Sequence, residues 1–202
     1  MSGAYNRKDH LYEKAKQEGY RSRASYKLKE LNSKHKLIKH GSRILDLGCW
    51  PGGWLQVAAE LIGGSGVVVG IDLVEMEKFS DPKIHGITGD VRDDVTIKQA
   101  LDLAGGRFDA VISDMSPKLT GIPEVDRIAA VGLNELALWV CGATLKIDGS
   151  FVAKVFKGNE TEQFVKSMRP VFNKVVRSEL DATRKTSNEF YVVGIGYKGS
   201  SN

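Results

Sequence analysis

The sequence predicts an α/β fold: a mostly parallel sheet with helices on both faces. Three observations predict it. Apolar, β-like runs alternate with helical patterns along most of the 202 residues. Runs such as VVVGI and FVAKVF are continuously apolar, as strands covered on both sides require. Four successive runs each deliver an acid at or near the same rim, Asp46, Asp72, Asp90 and Asp114, where open parallel sheets bind their ligands.

The elements follow in order. Residues 9–18 and 22–34 read as helices separated by Gly19. RILDL gives a strand at 43–47 and breaks into the turn Pro51-Gly52-Gly53. WLQVAAELI then reads as an amphipathic helix at 53–61. VVVGIDL and IHGITGD give strands at 67–71 and 84–88, a helix covers 94–103, and FDAVISD gives a strand at 109–113. A helix at 124–145, a strand at 150–156, a helix at 160–168 and strands at 172–177 and 189–196 complete the series. Residues 178–188 are polar and lack helical periodicity, which suits a hairpin better than a right-handed parallel crossover. The last strand is therefore expected to be antiparallel. Its start would lie at the rim where the parallel strands end, with Glu189 beside Asp114. One domain is expected over 1–202, a basic helical extension at 1–40 on a core at 41–202.

No apolar run approaches the ~20 residues that span a bilayer. MSGAYNRKDH has no apolar signal region, so a cytoplasmic protein with no membrane partner is expected. Cys49 and Cys141 have no metal-ligand spacing and are expected to be reduced and buried; no metal site is predicted.

The ten residues Leu45–Trp54, LDLGCWPGGW, carry the sharpest signal. A strand feeding a helix through a glycine-rich turn lets backbone approach a ligand closely. The spacing G-x-x-x-G-G is not the dinucleotide fingerprint G-x-G-x-x-G, and there is no Walker lysine. Asp72, at the end of the second strand, is placed to bond the ribose hydroxyls of a nucleotide-like cofactor. Capping of the following helices is expected to account for one or two of the four rim acids. Lys154 interrupts the apolar run SFVAKVF, and a buried lysine needs a partner. It must point into the rim site or pair with an acid there.

The charge is uneven. Residues 1–43 hold 12 Lys/Arg and 4 Asp/Glu, whereas the remainder hold 17 and 21. A basic arm on a mildly acidic body suggests a polyanion partner. Tyr5, Tyr12, Tyr20 and Tyr26 lie among the basic residues, a mixture that suits RNA better than a purely electrostatic tail does.

RSRASYKL (Arg21–Leu28), LDLGCWPGGW, IDL with Asp72, GDVRD with Asp90, SDMSP with Asp114, GSFVAKVFKG with Lys154 and SNEFYVV with Glu189 occur in this order. Together they resemble the FtsJ/RrmJ-like ribose 2′-O-methyltransferases over nearly the whole chain. The resemblance implies a Rossmann-like class I methyltransferase, with a seven-stranded, mostly parallel sheet whose last strand is antiparallel. It implies S-adenosyl-methionine as methyl donor and a catalytic tetrad of Lys27, Asp114, Lys154 and Glu189. Asp46, Gly48, Gly52, Gly53, Trp54, Asp72, Asp90 and Asp114 fall on its cofactor-binding positions. Gly48, Gly52, Gly53 and Trp54 would meet the methionine part, Asp72 the ribose or adenine, and Asp90 the adenine amino group. Arg21, Arg23, Lys118 and Arg184 are the expected RNA contacts. The implied substrate is a uridine of large-subunit rRNA within the 50S particle, acted on by a monomer with no obligate protein partner. Methylation of a tRNA anticodon loop is the alternative within the same chemistry. A non-catalytic RNA-binding assembly factor is the alternative outside it, and the intact tetrad counts against that. Three departures concern target choice. Trp50 stands where a small residue usually precedes the proline, Lys118 where Asn is frequent, and only Arg184 and Lys185 make the loop before Glu189 basic.

Methyl transfer from a sulfonium needs no metal and no covalent intermediate. It needs the ribose oxygen in line with the methyl group and a route for its proton. The resemblance makes Lys154 the proton acceptor. A free lysine titrates near ~10.4 and is a poor base unless perturbed. A second lysine would lower that value and two carboxylates raise it. The competing role is a charged lysine that stabilises the developing oxyanion.

Overall fold

The computed structural model describes residues 10–118, 120–184 and 186–199. Two helices come first, α1 (His10–Gln17) and α2 (Ser25–His35). The alternating series follows: β1 (Arg43–Leu47), α3 (Gly53–Ile62), β2 (Val67–Asp72), β3 (Ile84–Thr88), α4 (Asp94–Ala104), β4 (Phe108–Ser113) and α5 (Pro123–Thr144). It closes with β5 (Leu145–Phe156), α6 (Asn159–Met168), β6 (Phe172–Ser178) and β7 (Glu189–Tyr197). The strands form one seven-stranded sheet in the order β3-β2-β1-β4-β5-β7-β6. Pairings from β3 through β5 are parallel, and β7 is antiparallel to both β5 and β6. This is the expected Rossmann-like arrangement.

Strand periodicity divides the core into two layers. Leu45, Leu47, Val69, Ile71, Val111, Phe151, Ala153 and Val155 face α4, α5 and α6. Ile44, Val68, Ala110, Ile112, Val152 and Val193 face α2 and α3. Because both faces are covered, the strands are apolar without alternation. Leu28 and Leu31 are fully buried in the second layer. The basic face of α2 is thus the outside of a core helix, although the sequence groups that helix with an extension. Among the described residues no helix is long and apolar enough to cross a membrane.

Two boundaries and one neighbour differ from expectation. α2 begins at Ser25 instead of residue 22, because the Ser25 hydroxyl bonds the Ser22 and Gly53 carbonyls and closes a turn there. β5 begins at Leu145, five residues before the expected strand. The Asp148-Gly149 break reads as a turn, but the chain passes through it with Asp148 left-handed (φ 62°) and a register shift against β4. β7 starts at the expected rim, yet Glu189 does not lie beside Asp114. β5 intervenes, and Glu189 pairs with Phe156 across the ladder.

Candidate active site

The strand order reverses between β1 and β4, and the crevice outside the C-terminal ends of those strands is where doubly wound sheets place ligands. A cleft of about 760 Å³ opens there. Ile71, Val91, Leu133 and Leu136 make apolar walls, with Asp72, Asp90 and Asp114 around them. A small second cavity, bounded by Ser22, Asp46, Gly53 and Trp54, shares Gly48, Trp50 and Asp114 with the cleft.

Period-2 alternation explains what meets here. Asp46, Asp114 and Lys154 each lie two residues beyond a residue of the α2/α3 layer, Ile44, Ile112 and Val152. Tyr191 is itself in that layer, and Glu189 lies two residues before it. One face of four strands therefore delivers all five side chains to the end of the sheet beneath α2, where Lys27 sits.

The turn after β1 fits a ligand held closely. Gly48 is left-handed (φ 72°), and a Cβ there would fall 2.4 Å from Met115 Cγ. Asp46 is 1% exposed and its Oδ2 has no hydrogen-bond partner. Burial, followed by the charges of Asp114 and Asp72, pushes its carboxyl well above the usual range. An acceptor buried without a partner beside a small cavity suits a donor-bearing ligand. Asp72 accepts the Trp50 N–H on Oδ2 at 2.8 Å and the Val74 N–H on Oδ1 at 2.9 Å. These bonds fix the carboxylate at the cleft and leave each oxygen further accepting capacity. Arg92 grips Asp90 through side-chain and backbone hydrogen bonds and holds its pKa at about 2. None of these acids caps a helix: α3 is preceded by Gly52 and α4 by Asp93, both without a side-chain capping bond. Gly53 opens α3, and Trp54 is buried, its indole N–H donating to the Ala24 carbonyl at 2.8 Å. Gly52 lines neither cavity and faces Phe79 and Met76.

The four predicted catalytic residues form two ion pairs. Lys154 Nζ lies 3.3 Å from Asp114 Oδ1 and donates to the Asp114 carbonyl at 2.7 Å. Lys27 Nζ donates to Glu189 Oε1. Both lysines are buried, at 8% and 9% exposure, so each needs its partner. Tyr191 joins the pairs. Its hydroxyl donates to Asp114 Oδ1 at 2.6 Å, and its ring centre is 5.8 Å from Lys27 Nζ. Burial opposes ionisation of Asp114, but the Lys154 and Lys27 ammonium groups and the Tyr191 hydroxyl outweigh it and hold the carboxyl below its usual value. Tyr191 is an apolar-face residue by alternation, and sequence reading passed over it. The available signal was its position two residues from Glu189 on the same face, in register with Lys154.

The expected RNA contacts lie on three segments of the chain. Lys118 is exposed just beyond β4, and Arg184 is half-buried in the loop before β7. Tyr5 and Lys185 lie outside the described residues. Arg23 Nη2 donates to the Ala182 carbonyl at 2.6 Å, tying the start of α2 to that loop. Arg21 is half-buried, its guanidinium bonded to three backbone carbonyls and stacked on Phe79. Both cysteines are free and buried, and burial raises both thiols, which suits neither for nucleophilic attack.

A doubly wound sheet with an antiparallel β7, a ligand cleft at the switch point and a Lys-Asp-Lys-Glu tetrad beside it defines a class I methyltransferase. The chain belongs to the FtsJ-like methyltransferase family, whose profile matches residues 20–197. It is 40% identical over 194 residues to Ribosomal RNA large subunit methyltransferase E of Methanobrevibacter smithii, covering 96% of this chain and 92% of that protein. The protein of the same description from Pseudomonas fluorescens is 43% identical, with 96% and 92% covered. Among solved structures, a ribosomal RNA methyltransferase from Plasmodium falciparum superposes with a TM-score of 0.77 at 27% identity, covering 90% of this chain and 100% of that one. The fibrillarin pre-rRNA processing protein of Methanococcus jannaschii, at 17% identity and TM-score 0.56, shares the fold over 81% of this chain and 70% of that one.

Proposed function

We propose that this protein methylates a ribose 2′-hydroxyl of large-subunit ribosomal RNA, with S-adenosyl-methionine as donor. The observation that carries the reading is the tetrad, two buried lysine–carboxylate pairs joined by Tyr191 at the edge of the cleft. The names of the curated relatives supply the large subunit as target. Bound S-adenosyl-methionine would supply an electrophilic methyl group. Gly48, Gly53 and the unpartnered Asp46 oxygen suit its amino-acid end, and Asp72 and Asp90 its adenosine end.

The chain's own residues then have defined tasks. Asp114 fixes Lys154 through two acceptors, which leaves the third Nζ proton or lone-pair direction for the ribose oxygen. Glu189 fixes Lys27 alongside. Holding the hydroxyl in line can contribute roughly 7–11 kcal/mol in favourable systems, and moving its proton roughly 10²–10⁴-fold. The basic arm supplies phosphate affinity, and its salt dependence follows from counterion release.

Incubation with methyl-labelled cofactor and separate pools of 50S particles, free rRNA and tRNA tests the reading. Label is expected in the 50S or rRNA pool, in an alkali-resistant dinucleotide, because a methylated 2′-oxygen cannot attack its phosphate. Label confined to tRNA, or released by alkali as a labelled mononucleotide, would reject it. A binding test is independent of turnover. Trp50 is 56% exposed and borders both cavities. Saturation with S-adenosyl-homocysteine is expected to change tryptophan emission, and Trp50→Phe to remove most of the change. Trp139→Phe, at an exposed indole outside the cleft, should leave it in place.

A further inference from the structure

Three segments meet at Arg21. Nη1 donates to the Pro51 carbonyl at 3.3 Å and the Glu77 carbonyl at 2.8 Å, and Nη2 to the Lys78 carbonyl at 3.2 Å. The guanidinium carbon lies 3.6 Å from the centre of the Phe79 ring. Phe79 in turn fills the space beside Gly52, where a Cβ would fall 2.5 Å from its Cζ. The Arg21 N–H donates to Gln56 Oε1 at 2.8 Å, so α3 is held as well.

Both loops so tied are walls of the cofactor cleft. Pro51 follows Trp50, whose N–H is bonded to Asp72. Glu77–Phe79 continue the segment that leaves Asp72 through Leu73 and Val74, two residues lining the cleft. The Trp50–Asp72 bond joins these loops on the cleft side, and Arg21 joins them on the far side. A planar guanidinium can serve several carbonyls in its plane while its face stacks on an aromatic ring, whereas an ammonium is a point donor.

We propose that Arg21 is a positioning residue for the cofactor cleft, setting the separation of the loops after β1 and β2, and that it makes no phosphate contact with RNA. This rests on the methyltransferase reading. Calorimetry with S-adenosyl-homocysteine should show affinity about tenfold weaker in Arg21→Ala, the scale of a lost charged hydrogen bond. Arg21→Lys should recover little of it, and Arg23→Ala should bind as the native chain does. In turnover, Arg21→Ala should raise KM for the methyl donor while kcat at saturation stays close to native, a split that general loosening of the fold would not give. The salt dependence of binding to an rRNA transcript should keep its slope in Arg21→Ala, whereas loss of a phosphate contact would lower it by about one. Unchanged cofactor affinity in Arg21→Ala, full rescue by lysine, or a reduced salt slope would each overturn the proposal. A native chain that binds no S-adenosyl-homocysteine would overturn the methyltransferase reading with it.

Discussion

Lys154→Ala is expected to abolish methyl transfer while leaving cofactor affinity nearly unchanged. The ammonium is buried between the Asp114 carboxylate and carbonyl, on the tetrad side of the site. Removing one member of a buried ion pair costs roughly 3–5 kcal/mol where nothing replaces it. Here Asp114 keeps the Tyr191 hydroxyl and the Lys27 charge, so the variant should fold, and a thermal melt checks that. Lys154→Arg separates the two chemical roles. Arginine keeps the charge and cannot act as a base. As the proton acceptor, Lys154 gives an arginine variant nearly as inactive as the alanine one. The rising limb of single-turnover rate against pH should disappear with it. Substantial arginine activity with an unchanged pH profile would assign Lys154 to oxyanion stabilisation instead.

Asp46→Asn is expected to stabilise the protein and impair cofactor binding together. Burial and the neighbouring Asp114 and Asp72 charges raise the folded-state pKa of Asp46. A raised folded value means that the folded chain binds this proton more tightly than the unfolded chain does. Its stabilising contribution is complete below the unfolded value near ~3.9 and is lost as pH rises through the folded one. At neutral pH the carboxyl is therefore a cost. Asparagine has no charge to desolvate. The gain in Tm should grow as pH rises above ~4, the unfolded value, while calorimetry shows weaker binding because the orphaned Oδ2 acceptor is gone. A Tm gain independent of pH, or full cofactor affinity, would refute this account.

Most of the fold was legible because each element is locally self-consistent. The apolar runs of β1, β2 and β4 end where Asp46, Asp72 and Asp114 begin the site, and the same alternation that buries Ile44 and Ile112 sends Asp46 and Asp114 beneath α2. Strand order was less legible. The loop 178–188 required an antiparallel hairpin, but it does not say which neighbour β7 takes on its other side, and Glu189 was assigned beside Asp114 across a gap that β5 fills. The tertiary contacts of Arg21 were illegible for a related reason. Charge density marks a residue as basic, and only tertiary structure reveals that its acceptors are the carbonyls of Pro51, Glu77 and Lys78. Tyr191 carries a polar hydroxyl within an apolar strand pattern, so its bond to Asp114 left almost no trace in composition.

The place of β7 in the sheet orders events during translation. β5 and β6 leave the ribosome first, and neither has its shared neighbour until β7 threads between them. The walls of the cleft all precede residue 137 and emerge early. Glu189 and Tyr191 emerge only with the last strand, so until then Lys27 has no carboxylate and Asp114 no phenol. A growing chain therefore carries the residues of its cleft well before it can form the Lys27–Glu189 and Tyr191–Asp114 contacts, which exist only once synthesis has passed β7.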